Sequence, residues 1–174
     1  PEKRGRTNRT GSEANRRARD RLVERLEDAG LSVRVDAVGN IVGEWASAGA
    51  DPDAAPVACG SHLDSVPVGG IFDGPLGVYA ALESVRAMQD AEVKPARPVA
   101  VVSFTEEEGA TYGTGLLGSS VAIGETTVEE ALAFENDDGE TLGAALDRIG
   151  YRGDETVDPN GWKGFYELHI EQDT

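Results

Sequence analysis

The sequence predicts an α/β fold with a mixed, mainly parallel sheet flanked by helices. Apolar strand-like runs alternate with segments of helical periodicity, which is the pattern of strands joined by helical crossovers. Two runs, at 56–62 and 98–104, are almost wholly apolar, as expected of strands buried on both faces of a sheet. With 174 residues and 39% hydrophobic content, the chain is long enough to bury a core of this kind.

The first third of the chain predicts an arm, a helix and a hairpin. Residues 1–10 are polar and basic, and we expect a flexible arm there. Apolar side chains then recur at helical spacing from Gly11 until Gly30, a residue that commonly ends a helix. Two strand-like runs, LSVRVDAVG and NIVGEWA, follow, and the step at 38–40 between them is typical of a hairpin turn.

The remaining elements alternate between strand and helix. A strand at 56–62 precedes a helix that starts at Gly74 and ends near Asp90, and a second buried strand occupies 98–104. The last third predicts a glycine-rich loop with a short helix, two further short helices and a third strand: 112–124, 127–134, 140–150 and 161–172. Ligand-bearing residues should then lie at the carboxyl ends of the strands, where α/β folds place their sites.

The net charge of −16 excludes binding to nucleic acid or to an anionic membrane as a main function. Residues 1–34 carry +4 and residues 35–174 carry −20, while only three of the basic residues are lysines. An acidic surface poor in lysine is typical of a protein adapted to a salt-rich cytoplasm, although an acidic surface for solubility alone would give a similar composition.

The single cysteine, Cys59, allows no internal disulfide and favours a reducing, cytoplasmic compartment. It stands in an apolar run, where a small buried side chain is expected rather than a nucleophile. No apolar run approaches the length of a membrane span, and no signal peptide is evident.

Histidines and carboxylates follow three of the predicted strands. His62 and Asp64 share one side of an extended chain, so the carboxylate can orient the imidazole. His169 and Glu171 repeat this spacing, and the chain has no other histidine. A lone His-x-Asp pair is a weak signal, but two such pairs at strand ends predict a metal centre.

Carboxylates elsewhere fit the same centre. Asp73 lies in a glycine-rich loop just before a predicted helix, where it could bind metal, cap the helix or form an Asx turn. Glu106, Glu107 and Glu108 follow the strand at 98–104. They are either exposed charge at a strand end or a pair in which one glutamate binds metal and its neighbour moves protons.

Three motifs in this order resemble a known family: GSHLDSVPVGGIFDG, TEEEGATYGTGLLGS and ELHIEQ. They are similar to the amidohydrolase branch of the dinuclear metallo-aminoacylase/carboxypeptidase family, which includes N-carbamoyl-L-amino-acid hydrolases, allantoate amidohydrolases and β-ureidopropionases. The resemblance runs from about residue 12 to the end of the chain and implies a zinc-peptidase-like catalytic domain. It covers only the first part of the family's usual length, so 11–174 would be the N-terminal part of that domain.

The resemblance also implies roles for the site residues. His62, Asp73 and His169 would bind the first metal, and Asp73 would bridge to a second metal bound by Glu108. By the same resemblance, Asp64 and Glu171 would orient the two histidines, Glu107 would be the general base, and Gln172 would contact the substrate. Family members often have a cis peptide after the bridging aspartate, here between Asp73 and Gly74.

The implied activity is metal-dependent hydrolysis of non-peptide C–N bonds in ureido or N-carbamoyl substrates. Two divalent ions are expected, with zinc favoured and manganese, cobalt or nickel as alternatives. The family's last metal-binding histidine and its dimerisation domain have no counterpart in the sequence, so the second site would lack a ligand and the family's homodimer its interface.

Alternatives remain at this point. The chemistry could be that of an aminoacylase or aminopeptidase, although a histidine in the last motif favours the carbamoyl and ureido hydrolases. The chain could also be a non-catalytic remnant that binds one metal ion, or an acidic α/β domain without any metal.

Adaptation to salt makes a direct prediction. The free energy of unfolding should rise between low salt and molar KCl, because screening removes repulsion among the excess carboxylates. Urea unfolding at a series of KCl concentrations measures this, and a flat or falling curve would contradict it.

Overall fold

The computed structural model describes residues 5–170, and within them the fold is a five-stranded sheet with five α-helices. The strands are β1 (Ser32–Val35), β2 (Ile41–Trp45), β3 (Val57–His62), β4 (Val99–Phe104) and β5 (Gly164–Tyr166). The helices are α1 (Glu13–Asp28), α2 (Pro75–Asp90), α3 (Leu117–Ala122), α4 (Val128–Ala133) and α5 (Leu142–Ile149). A single 3₁₀ turn, Pro159–Gly161, precedes β5.

The sheet is mixed, with strand order β1-β2-β4-β3-β5. β1 pairs with β2, and β2 with β4, in antiparallel orientation. β3 pairs with β4 on one side and β5 on the other, both in parallel. The predicted mixed α/β sheet is confirmed, and its parallel part consists of the three strands that precede the candidate site residues.

Both faces of the sheet are covered, as the apolar runs predict. Along β4, Val99 and Val101 pack in the larger core cluster with residues of α1 and α2, such as Leu22 and Leu82. The alternate β4 residues pack on the opposite face in a smaller cluster that includes Ala122 of α3. This alternation is the reason that β4 is apolar along its whole length.

Residues 5–10, which the sequence places in a flexible arm, bind instead to the loop that follows β3. Arg6 and Gly69 form a β-bridge, and Asn8 and Thr10 are buried. The prediction of a flexible arm is therefore wrong for residues 5–10, because backbone polar groups of the loop accept and donate hydrogen bonds there. Residues 1–4 lie outside the described part of the chain.

A buried hydrogen-bond network joins the β1–β2 hairpin to the end of β4. Asn40, in the predicted turn, is fully buried, and its Oδ1 accepts a hydrogen bond from the backbone N–H of Thr105 at 2.9 Å. Its Nδ2 donates to the carbonyl of Gly118 and to Asp36 Oδ2. The buried Arg19 donates to the carbonyl of Gly39 and to Thr105 Oγ1. The hairpin thereby fixes the residue from which the three-glutamate segment starts.

No helix of the described residues is both long and apolar enough to span a membrane.

Replacing Asn40 should be costly. Asn40→Ala leaves the amide of Thr105 and the carbonyl of Gly118 without their partner inside the protein, so we expect the free energy of unfolding to fall by about 2–4 kcal/mol. Urea unfolding measures the change. Asn136→Ala is the matched control, since Asn136 accepts hydrogen bonds only within a surface turn, and it should cost about 1 kcal/mol or less. Equal losses in the two variants would contradict the role of the network.

Candidate metal centre

The end of β3 delivers a buried imidazole to the centre of the site. The side chain of His62 has no exposed surface, and its partner in β4 is Phe104, the last residue of that strand. Its Nδ1 lies 3.2 Å from the carbonyl oxygen of Asp64 and 3.5 Å from Asp64 Oδ1. A ring whose Nδ1 faces these oxygens directs Nε2, with its lone pair, towards the opposite side.

Three side chains converge on that side of His62. Its Nε2 lies 3.3 Å from His169 Nε2 and 3.6 Å from Asp73 Oδ1, and His169 Nε2 lies 3.4 Å from the same Asp73 oxygen. Two imidazole nitrogens and a carboxylate oxygen, all within 4.8 Å of one another, form a group that could hold a metal ion. Nitrogen and oxygen donors in this combination suit zinc and other first-row divalent ions.

The position of His169 follows from the parallel pairing of β5 with β3. Cys59 is the partner of Tyr166, so continuing the same register by three residues sets His169 level with His62. The side chain of His169 is 38% exposed, whereas that of Asp73 is 8% exposed. The site is therefore closed on the side of β3 and open on the side of His169.

The glycine-rich loop brings Asp73 to the site through a turn that only glycine allows. Gly74, the N-cap residue of α2, has φ 77°, and a Cβ atom there would lie 2.5 Å from His62 Cε1. No side chain caps α2, so Asp73 does not act as its N-cap. The described residues contain no cis peptide bond, so the prediction of a cis bond between Asp73 and Gly74 is wrong. The chain turns there through the positive φ of Gly74.

The three glutamates after β4 differ in environment. Glu106 is buried, and its Oε1 accepts hydrogen bonds from the backbone N–H groups of Thr111 and Tyr112 at 2.7 and 2.8 Å. Glu107 faces the site, with its Oε2 3.4 Å from His62 Nε2. Together with His62, Glu107 and Glu108 form a second group able to hold a metal ion. One of the three acids is thus structural, and two face the centre.

Asp64 connects the two strand ends. Its Oδ1 accepts a hydrogen bond from the backbone N–H of Glu107 at 3.2 Å, and its Oδ2 accepts one from Glu108 at 3.1 Å. The same carboxylate faces Nδ1 of His62. The sequence pairs Asp64 only with His62, because nothing in the order of residues shows that the amides of a segment 43 positions away reach it.

The electrostatics of the site reflect buried acids around one imidazole. Burial alone would lower the pKa of His62, but its hydrogen bond to Asp64 and the charges of Asp64, Glu107 and Glu108 outweigh burial and raise that pKa. Burial raises the pKa of Glu107, with His62 acting against it. Burial, followed by the charge of Asp73, raises the pKa of Glu108.

The remaining predicted residues have separate outcomes. Glu171 and Gln172 lie outside the described residues, so their predicted roles remain predictions. Arg6 was missed: its guanidinium contacts the backbone of the loop that carries Asp64 and Asp73. The role of Arg6 depends on contacts with a loop nearly 60 positions later. The local sequence around residue 6 is only a polar, basic segment, and such a pattern does not predict a contact at that distance.

Comparison with known proteins shows which family the chain belongs to. The model of peptidase family M28 matches residues 40–156, a span that includes β2 to α5 and most of the candidate site. The chain belongs to peptidase family M28.

Several relatives of similar sequence are named as amidohydrolases or hydrolases. An N-carbamoyl-L-amino-acid amidohydrolase from Rhizobium meliloti is 45% identical over 146 residues, covering 84% of this chain and 35% of the relative. Ureidoglycolate hydrolase from Arabidopsis thaliana is 38% identical over 153 residues, covering 83% of this chain and 32% of the relative. The chain therefore spans about a third of the length of these curated relatives.

Solved structures confirm the fold. The crystal structure of a hydantoinase/carbamoylase family amidase from Burkholderia ambifaria superimposes with a TM-score of 0.88 at 44% identity, covering 97% of this chain and 41% of that one. The predicted resemblance to amidohydrolases and the predicted α/β fold are both confirmed by these similarities.

The raised pKa values predict how the metal-free protein responds to pH. Since His62, Glu107 and Glu108 have raised pKa values in the fold, the native state binds more protons than the unfolded chain. The contribution of His62 is complete below its unfolded value near 6.5 and is lost as pH rises through its raised value. The free energy of unfolding should therefore fall as pH rises from about 5 to 8.

Urea unfolding in the presence of a chelator measures this dependence. Glu107→Gln should flatten the pH profile because it removes one of the three groups, whereas Glu129→Gln, a change at an exposed glutamate of α4, should leave the profile unchanged. A stability that rises with pH, or equal profiles in both variants, would contradict this assignment.

Proposed function

We propose that the chain is the metal-binding part of an amidohydrolase that cleaves non-peptide C–N bonds in ureido or N-carbamoyl substrates, of the N-carbamoyl-L-amino acid or allantoate type. The observation that carries this proposal is the convergence of His62, Asp73 and His169 beside Glu107. The names of the relatives, N-carbamoyl-L-amino-acid amidohydrolase and ureidoglycolate hydrolase, support the substrate class.

His62, Asp73 and His169 would hold the first divalent ion, with zinc favoured and manganese, cobalt or nickel as alternatives. Asp73 would also reach a second ion together with Glu108, whose pKa is raised by burial and then by the charge of Asp73. When bound, such ions supply Lewis-acid polarisation of the substrate carbonyl and favour the deprotonation of water. Asp64 would keep His62 in the tautomer that offers Nε2 to the ion.

Glu107 is the proposed general base. Its carboxylate borders the convergence point, where it could accept a proton from water and pass it to the leaving nitrogen. A cavity of about 240 Å³ adjoins Glu107 and is lined by apolar side chains such as Phe104, Leu116 and Trp162. The base therefore borders a space in which a small substrate could lie.

The second metal site requires a further ligand. Both histidines of the chain, His62 and His169, already belong to the first site. The relatives are about three times as long. We therefore infer that a longer polypeptide contains the last metal ligand and the dimerisation domain, through which it would form the homodimer of the family. Glu171 and Gln172 retain their proposed roles, as a partner of His169 and as a substrate contact.

A cytoplasmic, salt-rich setting completes the proposal. Its support is the single free cysteine, Cys59, together with the net charge of −16 and the scarcity of lysine. No nucleic-acid or membrane partner is proposed.

Two other functions differ from this one in measurable ways. An aminopeptidase or aminoacylase activity is favoured by the match to a peptidase family. A non-catalytic protein that binds one ion is favoured because both candidate ligand groups among the described residues use His62. Metal analysis of the longer polypeptide that contains this chain separates the readings, since two ions support the two-metal enzyme, one ion supports the protein that binds a single ion, and none contradicts both.

Glu107→Gln, made in the longer polypeptide that completes the second metal site, tests the catalytic assignment. We expect the rate of ammonia release from an N-carbamoyl-L-amino acid to fall at least about 100-fold, because glutamine cannot accept a proton, while the metal content stays unchanged. The assay compares N-carbamoyl amino acids, allantoate and dipeptides side by side.

Glu129→Gln is the control for Glu107→Gln and should retain full activity, since Glu129 is exposed on α4. Equal activity of Glu107→Gln and the parent chain would refute the assigned base. Faster cleavage of dipeptides than of N-carbamoyl amino acids would favour the peptidase reading. Metal binding without hydrolysis of any of these substrates would favour the non-catalytic one.

A further inference from the structure

We propose that Arg6 is a positioning residue of the metal centre: its guanidinium group holds together the two ends of the loop that joins His62 to Asp73, two of the proposed first-site ligands. This inference rests on the proposed metal site. The motifs of the site begin at Gly60, so nothing in them includes residue 6.

The guanidinium donates four hydrogen bonds, all to backbone carbonyls of the segment between β3 and α2. Its Nη1 donates to Leu63 at 2.8 Å, and its Nε donates to Gly70 at 3.2 Å. Its Nη2 donates to Asp64 at 2.8 Å and to Asp73 at 2.7 Å. A single nitrogen thus bridges two residues that are nine positions apart, one beside His62 and the other a metal ligand.

The planar shape of arginine makes this bridge possible. Its donors lie in a fixed fork, so one side chain can satisfy carbonyls that approach from several directions. A lysine at position 6 would keep the charge but would provide only a single nitrogen, which cannot reach all four carbonyls. A comparison of arginine with lysine at position 6 therefore distinguishes the effect of the hydrogen-bond geometry from the effect of the positive charge.

Neighbouring residues reinforce the contact. The backbone of Arg6 exchanges hydrogen bonds with Gly69 at 3.0 and 2.8 Å. Asn8 donates from its backbone to Ser65 Oγ at 3.0 Å and accepts from the backbone of Ser65 at 3.1 Å. We call residues 5–9 the N-terminal clamp. The loop at 63–73 contains no helix or strand of its own, so its shape depends on this clamp.

Charge alone would act against metal binding. Arg6 lies close enough to Asp64, Asp73 and Glu108 for their charges to act on it, and a cation there repels an incoming divalent ion. Removing the charge should therefore strengthen metal binding if charge were the main effect, and should weaken it if positioning is the main effect. The two explanations predict opposite signs.

Cobalt(II) titration of the metal-free chain provides the test, because the visible absorption of bound cobalt reports the geometry of its ligands. We expect Arg6→Ala to weaken cobalt binding about 10- to 100-fold and to change the absorption spectrum, as the loss of groups that orient metal ligands typically does. Arg6→Lys should show a similar loss despite its retained charge. Added guanidinium ion should restore part of the spectrum in Arg6→Ala.

Arg148→Ala is the matched control. Arg148 also anchors the N-terminal segment, through a hydrogen bond from its Nη2 to the carbonyl of Gly11 at 3.0 Å, but it does not contact the loop at 63–73. This variant should bind cobalt with unchanged affinity and spectrum. Urea unfolding of each variant establishes that the measured chains are folded, and Arg6→Lys decides the question if Arg6→Ala does not fold.

Three results would overturn the proposal. Wild-type affinity and spectrum in Arg6→Lys would show that only charge matters at this position. Unchanged or tighter binding in Arg6→Ala would exclude a positioning role. Equal losses in Arg6→Ala and Arg148→Ala would show a general effect of the N-terminal segment. Failure of the parent chain itself to bind cobalt would contradict the metal site, and with it the proposed function.

Discussion

The candidate site depends most on the contacts of the Asp64 carboxylate. The side chain of Asp64 is 3% exposed and faces the ring of His62. Its two oxygens accept hydrogen bonds from the backbone N–H groups of Glu107 and Glu108. A buried carboxylate is costly unless charge-assisted hydrogen bonds satisfy it, and here they also fix the arrangement of their donors. One side chain therefore couples the end of β3 to the segment after β4.

Parallel pairing sets the distances that Asp64 then fixes. Because His62 and Phe104 are partners at the ends of β3 and β4, the residues after both strands emerge at the same edge of the sheet. β5 runs in the same direction and carries its chain towards that edge, where His169 meets His62. The hairpin residue Asn40, bonded to the amide of Thr105, holds the start of the glutamate segment from the other side.

The same arrangement concentrates negative charge around one imidazole, and the fold gives backbone hydrogen bonds to two of the acids. Glu106 is bound by two backbone amides, and Asp64 by two others. Glu107 and Glu108 keep raised pKa values because burial is not fully compensated. Uncompensated acids beside two histidines are typical of a site that is completed by a cation. The Arg6 guanidinium donates its hydrogen bonds to backbone carbonyls of the loop, so it does not occupy the side-chain carboxylates of Asp64 and Asp73.

Sequence alone determined the order and type of the elements, because apolar periodicity and glycine positions are local properties of the chain. It also predicted that His62, Glu107, Glu108 and His169 lie together, since strand ends in α/β folds meet at one edge, while the glycine-rich loop and the family resemblance added Asp73 to that group. Only the tertiary structure decided the binding of residues 5–10, the structural role of Glu106 and the contact of Asp64 with two distant amides. Those features depend on hydrogen bonds between residues far apart in the chain, which no local pattern encodes.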